Sequence, residues 1–127
     1  MNSIEVQHYF DASHQLADSD LLITKACARL HGHTYAVKIR VEKEVLNEAG
    51  MIIDFRAIKD AVDILDHRHI NDVFKEHEVT VQPTAENIAV FIHDELSKLD
   101  LRVTSVAVAE GYKGPEKASW AIYEAKS

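Results

Sequence analysis

One cysteine in 127 residues, Cys27, has no partner within the chain. That excludes a disulfide-stapled scaffold and leaves a free thiol, either buried filler or a reagent. The two prolines and four glycines are scattered singly, and no segment repeats. No linker divides the chain, so one domain over residues 1–127 is expected. Long apolar runs are also missing. The longest is Ile88–Ile92, far short of the roughly 20 residues of a membrane-spanning helix, so an integral membrane protein is not expected. Basic residues are few, 14 Lys+Arg against 21 Asp+Glu for a net charge of −7. Without a clustered basic surface, nucleic acid is not an expected partner. The start, Met1-Asn2-Ser3-Ile4-Glu5, lacks the basic and apolar stretches of a secretion signal, which points to the cytoplasm.

What is present is an ordinary apolar share of 46% and eight histidines, a high count of the commonest metal ligand. From Ile4 to His14 the even positions Ile4, Val6, His8, Phe10, Ala12 and His14 alternate with mostly polar odd ones, the period of a half-buried strand. A second strand is expected from about Gly32 to Lys43, with Tyr35, Val37, Ile39 and Val41 on one face. Ala17–Leu30 reads as a loop. After the turn Asn47-Glu48-Ala49-Gly50, Asp54 is a candidate N-cap for a helix carrying Ile58, Ala61, Val62 and Leu65 and stopping near Asp66. Pro83-Thr84 opens a second helix with Ile88, Ile92, Leu96 and Leu99 on one stripe. Two strands follow, Leu101–Glu110 and Ser119–Glu124. The expected class is α+β, two helices covering one face of a four-stranded antiparallel sheet.

His31-Gly32-His33 places two imidazoles on one face of a strand, able to share one ion. His14 ends the first strand on the parity of its apolar residues and supplies a third nitrogen if the two strands pair there. Three neutral histidines leave one position open on a tetrahedral zinc, the arrangement of a catalytic site. A strand histidine is more usually a part-buried residue satisfied by one hydrogen bond, and His8, His69, His77 and His93 are read so. Leu65-Asp66-His67-Arg68-His69-Ile70-Asn71-Asp72 is a polar cluster at the expected end of the first helix. There a histidine is either a helix cap or an acid–base group with a carboxylate partner. Glu110 shares parity with Val106 and Val108, so its carboxylate needs a partner on the apolar side. A ring edge with two N–H donors would satisfy it, as would a buried ion pair.

Phe10-Asp11-Ala12-Ser13-His14, Cys27-Ala28-Arg29-Leu30-His31-Gly32-His33, Gly50-Met51-Ile52-Ile53-Asp54-Phe55, Leu65-Asp66-His67, Pro83-Thr84-Ala85-Glu86-Asn87 and Glu110 together resemble the 6-pyruvoyl-tetrahydropterin synthase family over nearly the whole chain. The resemblance implies the tunnelling fold, in which the sheets of several subunits join edge to edge into a barrel with sites between subunits. A homo-oligomer is implied, a hexamer built as a dimer of trimers. It further implies zinc (Zn2+) on His14, His31 and His33, a proton-transfer set of Cys27, Asp66 and His67, and Glu110 anchoring a pterin ring with help from Thr84. Within the family the chain is most similar to the bacterial branch that turns 7,8-dihydroneopterin triphosphate into 6-carboxy-5,6,7,8-tetrahydropterin, releasing acetaldehyde and triphosphate, for queuosine synthesis. Another branch stops after triphosphate elimination, at 6-pyruvoyl-tetrahydropterin. A third replaces the cysteine with glutamate, and Cys27 argues against it. The segment Gly111–Ala118 is longer than the turn expected after the ring anchor. Lys25, Arg29, Arg68, Lys113 and Lys117 are the cations near enough in sequence to meet a triphosphate. Two other classes fit some of the residues: a zinc hydrolase on the three histidines, and a non-catalytic pterin- or zinc-binding protein.

Overall fold

The structure is a computed structural model and describes residues 1–126. Strands β1 (Asn2–His14) and β2 (His31–Lys43) pair antiparallel along their whole length, from Asn2 opposite Lys43 to His14 opposite His31. Alternation sends Val6, Phe10, Ala12 and His14 of β1, and Tyr35, Val37, Ile39 and Val41 of β2, to the buried face. Helix α1 (Phe55–Val62) starts where the Asp54 carboxylate accepts the Arg56 N–H at 2.9 Å. It buries Ile58 and Val62 and runs into a 3-10 turn that buries Leu65. A two-residue strand β3 (Arg68–His69) and helix α2 (Ile70–Glu76) follow. Helix α3 (Ala85–Ser97) is capped by Thr84, whose hydroxyl accepts the Asn87 N–H at 3.2 Å. Strands β4 (Arg102–Ala109) and β5 (Ala121–Glu124) complete a sheet ordered β3-β1-β2-β4-β5. All its pairings are antiparallel except β1–β3. A bulge where Arg40 pairs with Ser105 and Val41 with Val103 gives β4 one extra residue. That lets Val103 and Val106, three apart, bury together.

The α+β class holds, with two corrections to the element count. The sheet has five strands rather than four, and three α-helices rather than two are present among the described residues. Both additions lie in or beside the polar cluster Leu65–Asp72. The strand β3 is too short to show a period, and α2 buries Ile70, Val73 and Phe74 within two turns, too little for a helical stripe to stand out. The loop expected over Ala17–Leu30 contains a 3-10 turn, Lys25–Ala28. Leu99, expected on the stripe of the last helix, lies past its end and is 41% exposed, whereas Leu96 is fully buried. No described helix is long and apolar enough to cross a membrane.

The helices cover one face of the sheet. On the other face Tyr112, in the loop after Glu110, packs between Tyr9 (ring centroids 5.5 Å apart) and Trp120 (5.8 Å), and the Lys38 ammonium sits 4.4 Å over the Trp120 ring. The Tyr112 N–H donates to the Thr34 carbonyl at 3.1 Å, which ties the start of this loop to β2. Gly111 makes the turn at φ +59°, a left-handed conformation that glycine adopts without penalty.

Leu96→Ala is expected to destabilise the fold by about 2–5 kcal/mol through lost burial and a residual cavity. Leu99→Ala should stay within about 0.5 kcal/mol. Urea titration of both variants checks the helix register.

Candidate metal centre and the hollow beside it

The β1–β2 register decides the site. It sets His14 directly across from His31, and Ala12 across from His33, so the three imidazoles share the end of one sheet face. Their ligand nitrogens all lie within 4.8 Å of one another. The backbone holds two of these rings in one tautomer. His14 Nδ1–H donates to the Pro83 carbonyl at 2.7 Å, and His31 Nδ1–H donates to the Arg29 carbonyl at 2.6 Å. A carbonyl only accepts, so each neutral ring presents its Nε2 as a lone pair. These two Nε2 atoms stand 2.8 Å apart. The third, His33 Nε2, is buried with no hydrogen-bond partner, although the Glu110 carboxylate lies 3.1 Å from it and 3.5 Å from His14 Nε2. Converging lone pairs beside a carboxylate repel one another unless a cation lies among them. The donor set, three imidazoles with an outer shell of backbone acceptors, fits a divalent transition ion.

Burial is the main reason the His14 and His33 imidazoles titrate below their ordinary 6.5; the Glu110 carboxylate pulls the other way, and the neighbouring imidazoles add to the lowering. Tyr35 lies beneath the cluster, stacked on Phe10 with centroids 5.0 Å apart and edge-on to His33 at 5.5 Å. Its phenol is fully buried and has no hydrogen-bond partner. Burial, and secondarily Glu110, raises its pKa well above the usual range.

The Asp66–His67 pair is clipped to the edge of β1. Asp66 Oδ1 accepts the Asp11 N–H at 3.0 Å, and the His67 N–H donates to the Asp11 carbonyl at 2.7 Å. His67 pays for this with φ +57°, a left-handed backbone that a non-glycine residue adopts at a cost. Its ring is 80% exposed and 3.6 Å from Asp66 Oδ2. From that clip the chain runs on as β3, with Ala12 opposite Arg68 and Ser13 opposite His69. A hollow of about 550 Å³ opens here, lined by Ser13, Gly32, His33, Thr34, His67 and His69 among others. His67 lines this hollow with Asp11, Ser13 and Thr34, whose side chains alternate to the sheet face opposite the His14, His31 and His33 imidazoles.

Cys27 and Thr84 do not line that hollow. Cys27 is half-buried in the 3-10 turn, and its carbonyl accepts the Leu16 N–H at 3.0 Å. Thr84 is committed to capping α3, next to the Pro83 carbonyl that orients His14. Glu110 follows the last residue of β4, and its side chain is one-third exposed and turned to the histidines. Of the basic residues named above, Lys25 pairs with Asp18 at 2.8 Å and Arg68 pairs with Glu76. His69, read from sequence as a histidine with one hydrogen bond, has one, to the Ser13 hydroxyl at 2.9 Å. Sequence reasoning missed Ser13, Asp11 and Thr34 as neighbours of the site. Asp11 accepts the Thr34 hydroxyl at 2.5 Å, and both sit on the parity that sequence patterning assigns to solvent.

Titration with cobalt(II) should show one site per chain. Its affinity should fall in His31→Ala by more than the roughly 10–100-fold that loss of an outer-shell partner costs, and should not change in His77→Ala. For the metal-free protein the sign of the pH effect follows from the lowered imidazoles. Below pH 6.5 the unfolded chain takes up protons that His14 and His33 resist in the folded state. Their contribution to stability is therefore complete above pH 6.5 and is lost as pH falls below it. Urea midpoints of metal-free protein measured between pH 7.5 and 5 should decline on the acid side.

Comparison with known proteins identifies the family and the fold. The sequence profile of 6-pyruvoyl tetrahydropterin synthase matches residues 3–126. The 6-carboxy-5,6,7,8-tetrahydropterin synthase of Bacillus subtilis is 30% identical over 105 residues, covering 80% of this chain and 72% of that protein. Dihydroneopterin monophosphate aldolase of Pyrococcus furiosus is 30% identical over 118 residues, covering 87% and 91%. A Pyrococcus horikoshii relative is 49% identical over 61 residues, which span 48% of this chain and only 36% of that protein. The structure of Caenorhabditis elegans 6-pyruvoyl tetrahydropterin synthase superimposes with a TM-score of 0.67 at 22% identity, covering 98% of this chain and 96% of that one, and shares its fold. With the profile matched from the first strand to the last, the chain belongs to the 6-pyruvoyl tetrahydropterin synthase family.

Proposed function

We propose that this chain is a zinc-dependent lyase that converts 7,8-dihydroneopterin triphosphate to 6-carboxy-5,6,7,8-tetrahydropterin, releasing acetaldehyde and triphosphate, in the cytoplasm and in the service of queuosine synthesis. The observation that carries the reading is the convergence of three Nε2 atoms, two with their tautomers set by backbone carbonyls, beside the Glu110 carboxylate. Imidazole nitrogen favours zinc over magnesium or calcium. When bound, zinc supplies Lewis acidity toward the oxygens of the substrate side chain. His14, His31 and His33 hold it. Glu110 accepts two N–H donors of the pterin's amino-pyrimidinone edge in parallel charge-assisted bonds, with Thr84 assisting. Cys27 and His67 move protons to and from the side-chain carbons, and Asp66, whose Oδ1 is bonded to the β1 backbone, fixes where His67 stands.

Glu110 reaches the histidine cluster from the end of β4, Cys27 sits in the 3-10 turn before β2, and neither lines the hollow beside His67. A site assembled between subunits brings such groups to one substrate. The sheet edges β3 and β5 are short and open, and pairing between copies into a barrel, with trimers stacked as a hexamer, satisfies them.

The aldolase relative supports a second reading, cleavage of a phosphorylated dihydroneopterin side chain without triphosphate loss. Zinc-loaded protein should be incubated separately with 7,8-dihydroneopterin triphosphate and with the monophosphate, and the pterin products identified by mass. A 6-carboxy product from the triphosphate is expected. A pyruvoyl product, or turnover of the monophosphate alone, assigns the chain to one of the other two activities. No turnover by zinc-loaded protein leaves a pterin- or zinc-binding role.

Cys27→Ala should lower kcat by about 10²–10⁴-fold while zinc content and pterin affinity stay unchanged. Glu110→Gln sets an N–H against a ring N–H. It should weaken binding of a pterin without the triphosphate side chain by about 1.5–3 kcal/mol in calorimetric titration, with zinc content unchanged.

A further inference from the structure

The chain leaves β1 at Gln15, and from there hydrogen bonds run to the turn that carries Cys27. The Gln15 N–H donates to Asn71 Oδ1 at 2.9 Å, and the Gln15 carbonyl accepts from Asn71 Nδ2 at 2.8 Å. One amide side chain thus pairs with both polar groups of the Gln15 backbone, as a neighbouring strand would. It continues the β1–β3 pairings, Ala12 with Arg68 and Ser13 with His69, past the point where the chain coils into α2. With its backbone fixed, Gln15 reaches across to the turn, and its Nε2 donates to the Ala28 carbonyl at 2.8 Å. The next residue, Leu16, donates its N–H to the Cys27 carbonyl at 3.0 Å. Successive carbonyls of the turn are therefore gripped from the end of β1. The turn Lys25–Ala28 has no fully buried residue of its own, so these bonds, and not the core, fix where the Cys27 backbone stands.

We infer that Gln15, its backbone held by Asn71, is the positioning residue for the Cys27 thiol. The assignment rests on the pterin reading above, in which Cys27 moves a proton, and adds a residue to it. The Gln15 amide grips the backbone of the turn, so it acts through Cys27 and not on the substrate. Proton transfer to or from carbon needs the sulfur within hydrogen-bond reach, and a displacement of about 1 Å costs up to about 10²-fold in rate. Loss of the grip therefore slows the proton transfer and leaves ground-state binding in place. The gripped Ala28 carbonyl is also one residue from the Arg29 carbonyl that orients His31. Zinc content separates an effect on the thiol from an effect on that ligand.

The test uses Gln15→Met in zinc-loaded protein, a neutral side chain of similar length without the N–H donor. Gln15 is exposed, so the fold should persist. Asn71→Asp loosens the clamp from its other side, because it keeps an acceptor for the Gln15 N–H but sets a carboxylate oxygen against the Gln15 carbonyl. With 7,8-dihydroneopterin triphosphate, both variants should lower kcat by about threefold or more, with KM within about twofold of wild type and bound zinc unchanged. Iodoacetamide finds a single thiol in this chain. It should alkylate Cys27 about threefold faster or more in both variants than in wild type, because the half-buried thiol is no longer held. A smaller loss of kcat in Gln15→Met, no acceleration of alkylation, or a loss of zinc overturns the assignment. Wild type that turns over no pterin overturns the functional reading instead, and the alkylation rates still decide whether Gln15 holds the turn.

Discussion

The pairing of β1 with β2 is the constraint on which the rest depends. Thirteen residues of each strand face each other without a slip. Because a strand's faces alternate with a period of two, one register places both the core and the candidate metal ligands. A shift of one residue would send Tyr35, Val37, Ile39 and Val41 to the wrong face and move His31 and His33 away from His14. The buried aliphatic and aromatic side chains that hold the register are thus also what brings three imidazoles to a point. Stability of the sheet and assembly of the site are the same event.

Two conflicts are built into that point. Burial disfavours charge on His14 and His33 while Glu110 favours it, and burial dominates. The imidazoles are therefore kept in the neutral form that a cation needs. The second conflict is the cost of crowding lone pairs and a carboxylate together, along with an unpartnered His33 nitrogen and Tyr35 hydroxyl. A sheet end that buries several polar atoms without partners is an expensive structural feature. A cation among the three Nε2 atoms would offset that cost.

Around the centre the structure uses backbone atoms where the sequence shows only side chains. Pro83 and Arg29 matter through their carbonyls, Asp11 through its N–H and C=O, and Gly111 through its φ. The clip formed by Asp66 and His67 on Asp11 converts a loop after α1 into an edge strand, and that short strand sets His69 against Ser13. The left-handed backbone at His67 is the local cost of bringing the loop onto the sheet edge.

By itself the sequence determined the alternating strands, both long helices with their Asp54 and Thr84 caps, and the parity that aligns His14 with His31 and His33, because each is written in a local period or an adjacent residue pair. The Cys-x-x-x-His-Gly-His element and its companions determined the family. Only the tertiary structure decided that Arg68–His69 is a strand and Ile70–Glu76 a helix, since two residues and two turns carry no readable period and take their form from β1 and the core. Tertiary structure likewise left Leu99 outside the core, where the helix stops short of it. It also chose Pro83 and Arg29 as the acceptors that orient the ligands, and Ser13 as the partner of His69. Those choices are contacts between residues up to 69 positions apart, set by which strands pair and in what register, and no local pattern encodes them.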